Sequence, residues 1–218
     1  MIDLSKGQTF DLSKGDDKTE RKKKLLDHMH VGLGWDVKKG GGVNFDLDVK
    51  VASQRADGTW DPDYACNYSH KVTPDKAIKH CGDNLTGEGS KDDEVIKIHL
   101  SKLPPQIVLV EFFVEIYQAR QRRQHFGQVH NAFIRLVDRH NHKKEVCRFT
   151  LGHEYDMYTS VLMGTARRNA SGDWGFVAEG KPRGEKLKLL NARARATEAS
   201  SLIANRQEER ETCNCNIM

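Results

Sequence analysis

The stretch IVLVEFFVEIY, residues 107–117, constrains the fold more than any other. It is rich in β-branched and aromatic residues, and it is half the length of the roughly 20-residue span that crosses a bilayer as a helix. The loop LPPQ (103–106) bounds it upstream. It therefore reads as a central, buried β-strand, and such a strand needs hydrogen-bonded neighbours and a second layer. The chain offers both. In VNFDLDVKVAS (43–53), Val43, Phe45, Leu47, Val49 and Val51 face one way, and Asn44, Asp46, Asp48 and Lys50 the other. That alternation predicts a strand with one wet face. Further strands are expected from Leu25 to the glycines of GLGWD, and in DEVIKIHL (93–100), VHNAFIRLVD (129–138), KEVCRFTL (144–151) and GDWGFVAEG (172–180). ADGTWDPD (56–63) is expected to be a turn-rich loop, and a helix is expected over 158–170. Short strands separated by turns point to a mainly β fold, a two-sheet β-sandwich, rather than alternating β-α units.

The character changes after Gly180. Helix formers replace β-branched residues, and Leu187, Leu190, Ala194 and Thr197 follow a helical spacing. This divides the chain into a β-sandwich domain, 1–180, and a basic, charged helical extension, 181–218. The extension would pack on the body, pair with a partner or lie on a membrane surface. Its end, CNIM, fits a prenylation box at Cys215, with Cys213 beside it for a second lipid; a plain exposed tail with two thiols is the competing reading. The N-terminus lacks the apolar core of a signal peptide and there is no apolar run of about 18 residues. A cytoplasmic protein with peripheral membrane association through the extension is therefore expected. In a reducing compartment Cys66, Cys81 and Cys147 are expected to be ordinary core or boundary thiols. The net charge of +4 is too small to indicate nucleic-acid binding by itself.

HCGDNLTGEGSKDDE (80–94) gathers five carboxylates around glycines, with one lysine inside the cluster. Calcium takes six to eight oxygens from carboxylates, amides and carbonyls, and a glycine-rich loop can turn several inward. A solvated acidic turn is the plain alternative. The spacing is not that of an EF-hand, and no His or Cys cluster suits zinc. Magnesium prefers compact octahedral sites, so the long flexible set favours calcium. Asp36, Asp46 and Asp48, and more weakly Asp57, Asp61 and Asp63, add acidic turns that strand ends would bring together. Arg120, Arg122 and Arg123 form a basic island that would take phosphate or lie against the acidic loops. No nucleophile elbow, zinc-protease or phosphate-loop motif occurs. The expectation is a non-enzymatic binding module; magnesium-dependent phosphoryl transfer, or phosphate or nucleic-acid binding, is the alternative.

VGLGWD (31–36), NFDLD (44–48), GDNLTGEG with DDE (82–94), FGQVHNAFIRLVD (126–138) and GDWGFVAEG occur in the order found in the TerD family of tellurium-resistance and general-stress proteins. The chain resembles that family over roughly residues 1–180. The resemblance implies a β-sandwich binding one or two calcium ions through acidic loops at one end, and a role among stress-complex partners. Carried over, the ligands would be Asp83, Asn84, Gly87, Glu88, Asp92, Asp93 and Glu94, joined by Asp36, Asp46 and Asp48. The family usually has Asp-Gly where this chain has Ser90-Lys91, which predicts that one ion is held less tightly than the other.

Overall fold

The computed structural model describes residues 2–12, 27–37, 45–82, 84–86, 92–139 and 144–183. All of them lie in one compact unit, Met1–Gly184. The expected helical run through Leu187, Leu190, Ala194 and Thr197 and the tail with Cys213 and Cys215 lie outside the described residues. The strands are β1 (Ile2–Asp3), β2 (Thr9–Asp11), β3 (His28–Val37), β4 (Leu47–Arg55), β5 (Trp60–Cys66), β6 (Ile78–His80) and β7 (Glu94–His99). Then follow β8 (Ile107–Ile116), the one-turn helix α1 (Ala119–Arg122), β9 (Val129–Asp138), β10 (Lys144–Thr150), β11 (Ser160–Arg168) and β12 (Trp174–Arg183). They form two six-stranded sheets, in the orders β1-β10-β9-β3-β7-β6 and β2-β12-β11-β8-β4-β5. The pairings are antiparallel except for β1 with β10.

The apolar run takes the predicted central place: β8 lies between β11 and β4. Its Val110, Phe112 and Val114 are buried with Leu47, Val49 and Val51 of β4. From the other sheet come Val31 and Leu33, Ile96 and Ile98, and Ile134 and Leu136, all buried. One core thus fills the space between two period-two faces.

Three expectations are corrected. Residues 158–170 form no helix; Ser160–Arg168 is a strand hydrogen-bonded to β8 on one side and β12 on the other. Tertiary pairing overrides weak local helix preference there. The expected loop 56–63 holds only the turn, and the strand β5 begins at Trp60. Pro62 misled the reading: β5 is an edge strand, where a missing N–H donor costs no ladder bond. The supposed wet face of β4 is covered at one end, because Asp46 and Asp48 are buried. Alternation tells which face a side chain takes, not whether another segment lies over it. Here Tyr68, after β5, meets Tyr117, after β8, edge-on at 6.3 Å, and Lys50 and Glu115 pair beside Asp48.

Candidate functional site

Antiparallel pairing gathers one set of strand ends. The end of β3 lies against the starts of β7 and β9, since Leu33 pairs with Glu94 and Asp36 with His130. Trp35 Nε1 donates to the Phe45 carbonyl at 3.2 Å, tying the start of β4 to the same end. The Tyr117 N–H donates to the Asp46 carbonyl at 2.8 Å, which brings the β8–α1 turn there too.

Asp93 is the centre of this end. Its N–H donates to the Leu33 carbonyl at 2.8 Å. Its carboxylate accepts the Trp35 N–H at 3.0 Å and the Asn84 amide at 2.9 Å. Burial pushes its carboxyl above the ordinary aspartate value; the Trp35 N–H opposes this, and the charges of Asp92 and Asp36 add to it. Asp36 is exposed and accepts from the Asn131 amide at 2.8 Å. A carboxylate repelled by two neighbours is the electrostatic condition that a bound cation relieves.

Glu94 has a different place. It is fully buried, accepts the Val49 N–H at 2.6 Å and thereby ties the two sheets together, with His80 Nε2 3.6 Å away. Asp92 is clamped by Arg135 at 2.6 Å on the outer face of its sheet.

The predicted set therefore divides. Asp36, Asn84, Asp92 and Asp93 come together. Asp46, Asp48 and Glu94 share that end but are buried, Asp48 on the outer face of the second sheet beside Lys50. Asp57 and Asp61 do not join them. They sit in the β4–β5 hairpin, separated from Asp46 by the length of β4, roughly 30 Å at 3.3 Å per residue. Asp57 is held by Thr59, Asp61 is buried against Arg55 at 2.9 Å, and Asp63 donates its N–H to Asp61 at 3.2 Å. Asp83, Gly87 and Glu88 lie outside the described residues. Among the described residues, no three His, Cys, Asp or Glu side chains are arranged to hold a metal ion.

The basic island is exposed. Arg122 lies over the Tyr117 ring, 5.3 Å from its centroid, and among the described residues none of Arg120, Arg122 and Arg123 pairs with a carboxylate. Burial pushes the Cys66 thiol up to about 11 and the Cys147 thiol up to about 12. Both thiols are buried, as expected of ordinary core cysteines. Cys81 is exposed. Sequence reasoning missed Arg135 and Asn131. Arg135 had a readable signal: a lone arginine in the alternating run FIRLVD, opposite a glycine-rich strand. Among the described residues no helix is long and apolar enough to cross a membrane.

The family model of the TerD domain matches residues 1–193. The tellurium resistance protein TerD of Serratia marcescens is 38% identical over 182 residues, which cover 83% of this chain and 90% of that one. General stress protein 16U of Bacillus subtilis is 38% identical over 181 residues, 82% of this chain and 89% of that one. The crystal structure of a homologue of telluride resistance protein from Streptomyces coelicolor superposes with a TM-score of 0.59 at 25% identity, covering 75% of this chain and 94% of that one. With the two-sheet architecture and motif order already described, these matches show that the chain belongs to the TerD family.

Proposed function

We propose that the chain is a non-enzymatic, calcium-binding stress-response module. The carrying observation is the carboxylate group at one end of the sandwich: Asp93, which accepts from the Trp35 N–H and the Asn84 amide and is crowded by the charges of Asp92 and Asp36. Its donor chemistry fits calcium. Asp36, Asp93 and Asn84 would hold the ion, and the further acidic loop residues Asp83 and Glu88, with the Gly87 carbonyl, would complete its shell. Calcium supplies charge neutralisation there; the chain supplies a rigid pair of strand ends on which the carboxylates are mounted. One ion is held tightly and any second more weakly, because Lys91 adds a positive charge to the loop. The relatives are named as a tellurium resistance protein and a general stress protein, which supports a stress-response role. Its partners would be other proteins of such a stress complex, and the extension from 181 onward would supply peripheral membrane contact.

The test is the rise in melting temperature on adding calcium to the full chain. At a calcium concentration about 100 times Kd, binding contributes about 2.7 kcal/mol, roughly 5–10 °C for a chain of this size. Asp93→Asn should remove most of that rise while leaving the calcium-free melting temperature within a few degrees. Asp57→Asn, at the other end, should leave it unchanged.

The same site carries a pH dependence. Asp93 is raised above the ordinary 3.8 in the fold. A raised carboxyl favours the fold below the unfolded value, and that contribution is lost as pH rises through the folded value. Calcium reverses the sense, because it competes with the proton for the same oxygens. The calcium-induced rise should therefore shrink as pH falls, starting at a higher pH than for an ordinary aspartate. A rise that stays constant down to pH 4 would contradict the assignment of Asp93.

A further inference from the structure

The outer face of the first sheet carries a ladder of charges that the ligand set does not use. Asp92 Oδ1 accepts from Arg135 Nε at 2.6 Å, and Arg135 Nη1 donates to Glu145 at 2.7 Å. Arg148 reaches Glu145 through Nε and Nη2, both at 2.9 Å. The Arg148 guanidinium lies 3.8 Å from the centroid of the Phe133 ring. The ladder thus crosses from the start of β7 to β10. It needs the two glycines of GLGWD. Gly32 pairs directly with Arg135, and Gly34 with Phe133. A Cβ on Gly32 would fall on the Asp92 carboxylate, and one on Gly34 would fall on the Phe133 ring. Neither glycine has a positive φ, so room, not backbone freedom, is what they supply.

The geometry points to Arg135 as a positioning residue for the metal loop: it clamps Asp92 onto the seat at Gly32 and so aims the adjoining Asp93 at the ion. The inference rests on the calcium reading above. Asp92 has one carboxylate oxygen held by the guanidinium, so its work is to fix the backbone from which Asp93 projects. A fork that binds two carboxylates, Asp92 and Glu145, sets direction as well as charge. Preorganisation of this kind raises affinity by removing the cost of ordering the ligand on binding.

The sign of one substitution separates positioning from field. Arg135 is a cation near the carboxylates. If only its charge mattered, Arg135→Ala would make calcium bind more tightly. If it positions Asp92, Arg135→Ala makes calcium bind more weakly. Gly32→Ala changes no charge and evicts Asp92 from its seat, so it too should weaken binding. The experiment is calcium titration by calorimetry on the full chain, well below each variant's melting temperature, for wild type, Arg135→Ala, Arg135→Lys and Gly32→Ala. Arg135→Ala and Gly32→Ala should bind at least tenfold more weakly than wild type, and Arg135→Lys should lie between Arg135→Ala and wild type. Should Arg135→Ala fail to fold, Arg135→Lys and Gly32→Ala carry the comparison. Unchanged or tighter binding in the variants, with only their melting temperatures lowered, overturns the positioning role and leaves the calcium reading intact. Wild type that binds no calcium overturns both.

Discussion

Glu94→Ala should destabilise the metal-free fold by about 3 kcal/mol, measured by urea unfolding in the presence of a chelator. Glu94 is 1% exposed and receives the Val49 N–H from the other sheet. Truncation leaves a buried backbone donor without its acceptor, which costs about 1–3 kcal/mol, and opens a cavity between the sheets. It also removes the charge that faces His80 Nε2. The ring's other nitrogen, Nδ1, accepts the Gly82 N–H at 3.4 Å. Glu94→Gln retains an acceptor for Val49 and fills the same volume, so it should cost only about 1 kcal/mol. Equal losses for Ala and Gln would mean that the charge, rather than the link between the sheets, matters.

Gly180→Ala should cost about 2–4 kcal/mol, seen as a fall of roughly 5–15 °C in melting temperature. Gly180 has φ +52, and a Cβ there would strike the Tyr155 hydroxyl and lie 2.8 Å from the Phe149 ring. The left-handed backbone costs a non-glycine residue about 1–2 kcal/mol, and overpacking about 1–3 kcal/mol more. The Tyr155 hydroxyl also donates to the Gly180 carbonyl at 2.9 Å, a buried bond that a displaced ring would break. Gly7→Ala is the control: φ is +81 but no atom lies within 4 Å of its Cβ. It should show the backbone cost alone, about 1–2 kcal/mol. If the two substitutions cost the same, the crowding around Gly180 is not felt.

The strands that bury a whole face were legible from pattern. The apolar run 107–117 became β8 and VHNAFIRLVD became β9 with the predicted bounds, because hydrophobic period two is the same signal that fills a sandwich core. Edge and special cases were not. Pro62 resembles a loop residue until the strand is known to lie at an edge, and SVLMGTARR reads as a strand only once two partners flank it. The site divided in the same way. Asp36 and Asp92 lie near Asp93 because the end of β3 pairs with the starts of β7 and β9. The hairpin carboxylates Asp57 and Asp61 were assigned to the same end, because the sequence does not say at which end of a sheet a turn lies. Nor did it show that Asp48 and Glu94 are buried, or that Asp92 answers to Arg135: those depend on contacts between residues more than 40 positions apart.

Calcium titration of the full chain by calorimetry, repeated in excess magnesium, tests the central claim most directly. Asp36, Asp93 and the acidic loop should bind one calcium ion tightly, with any second site weaker, and magnesium should compete poorly because it resists large, flexible oxygen sets. No heat and no stabilisation by calcium, or equal binding of magnesium, would contradict it.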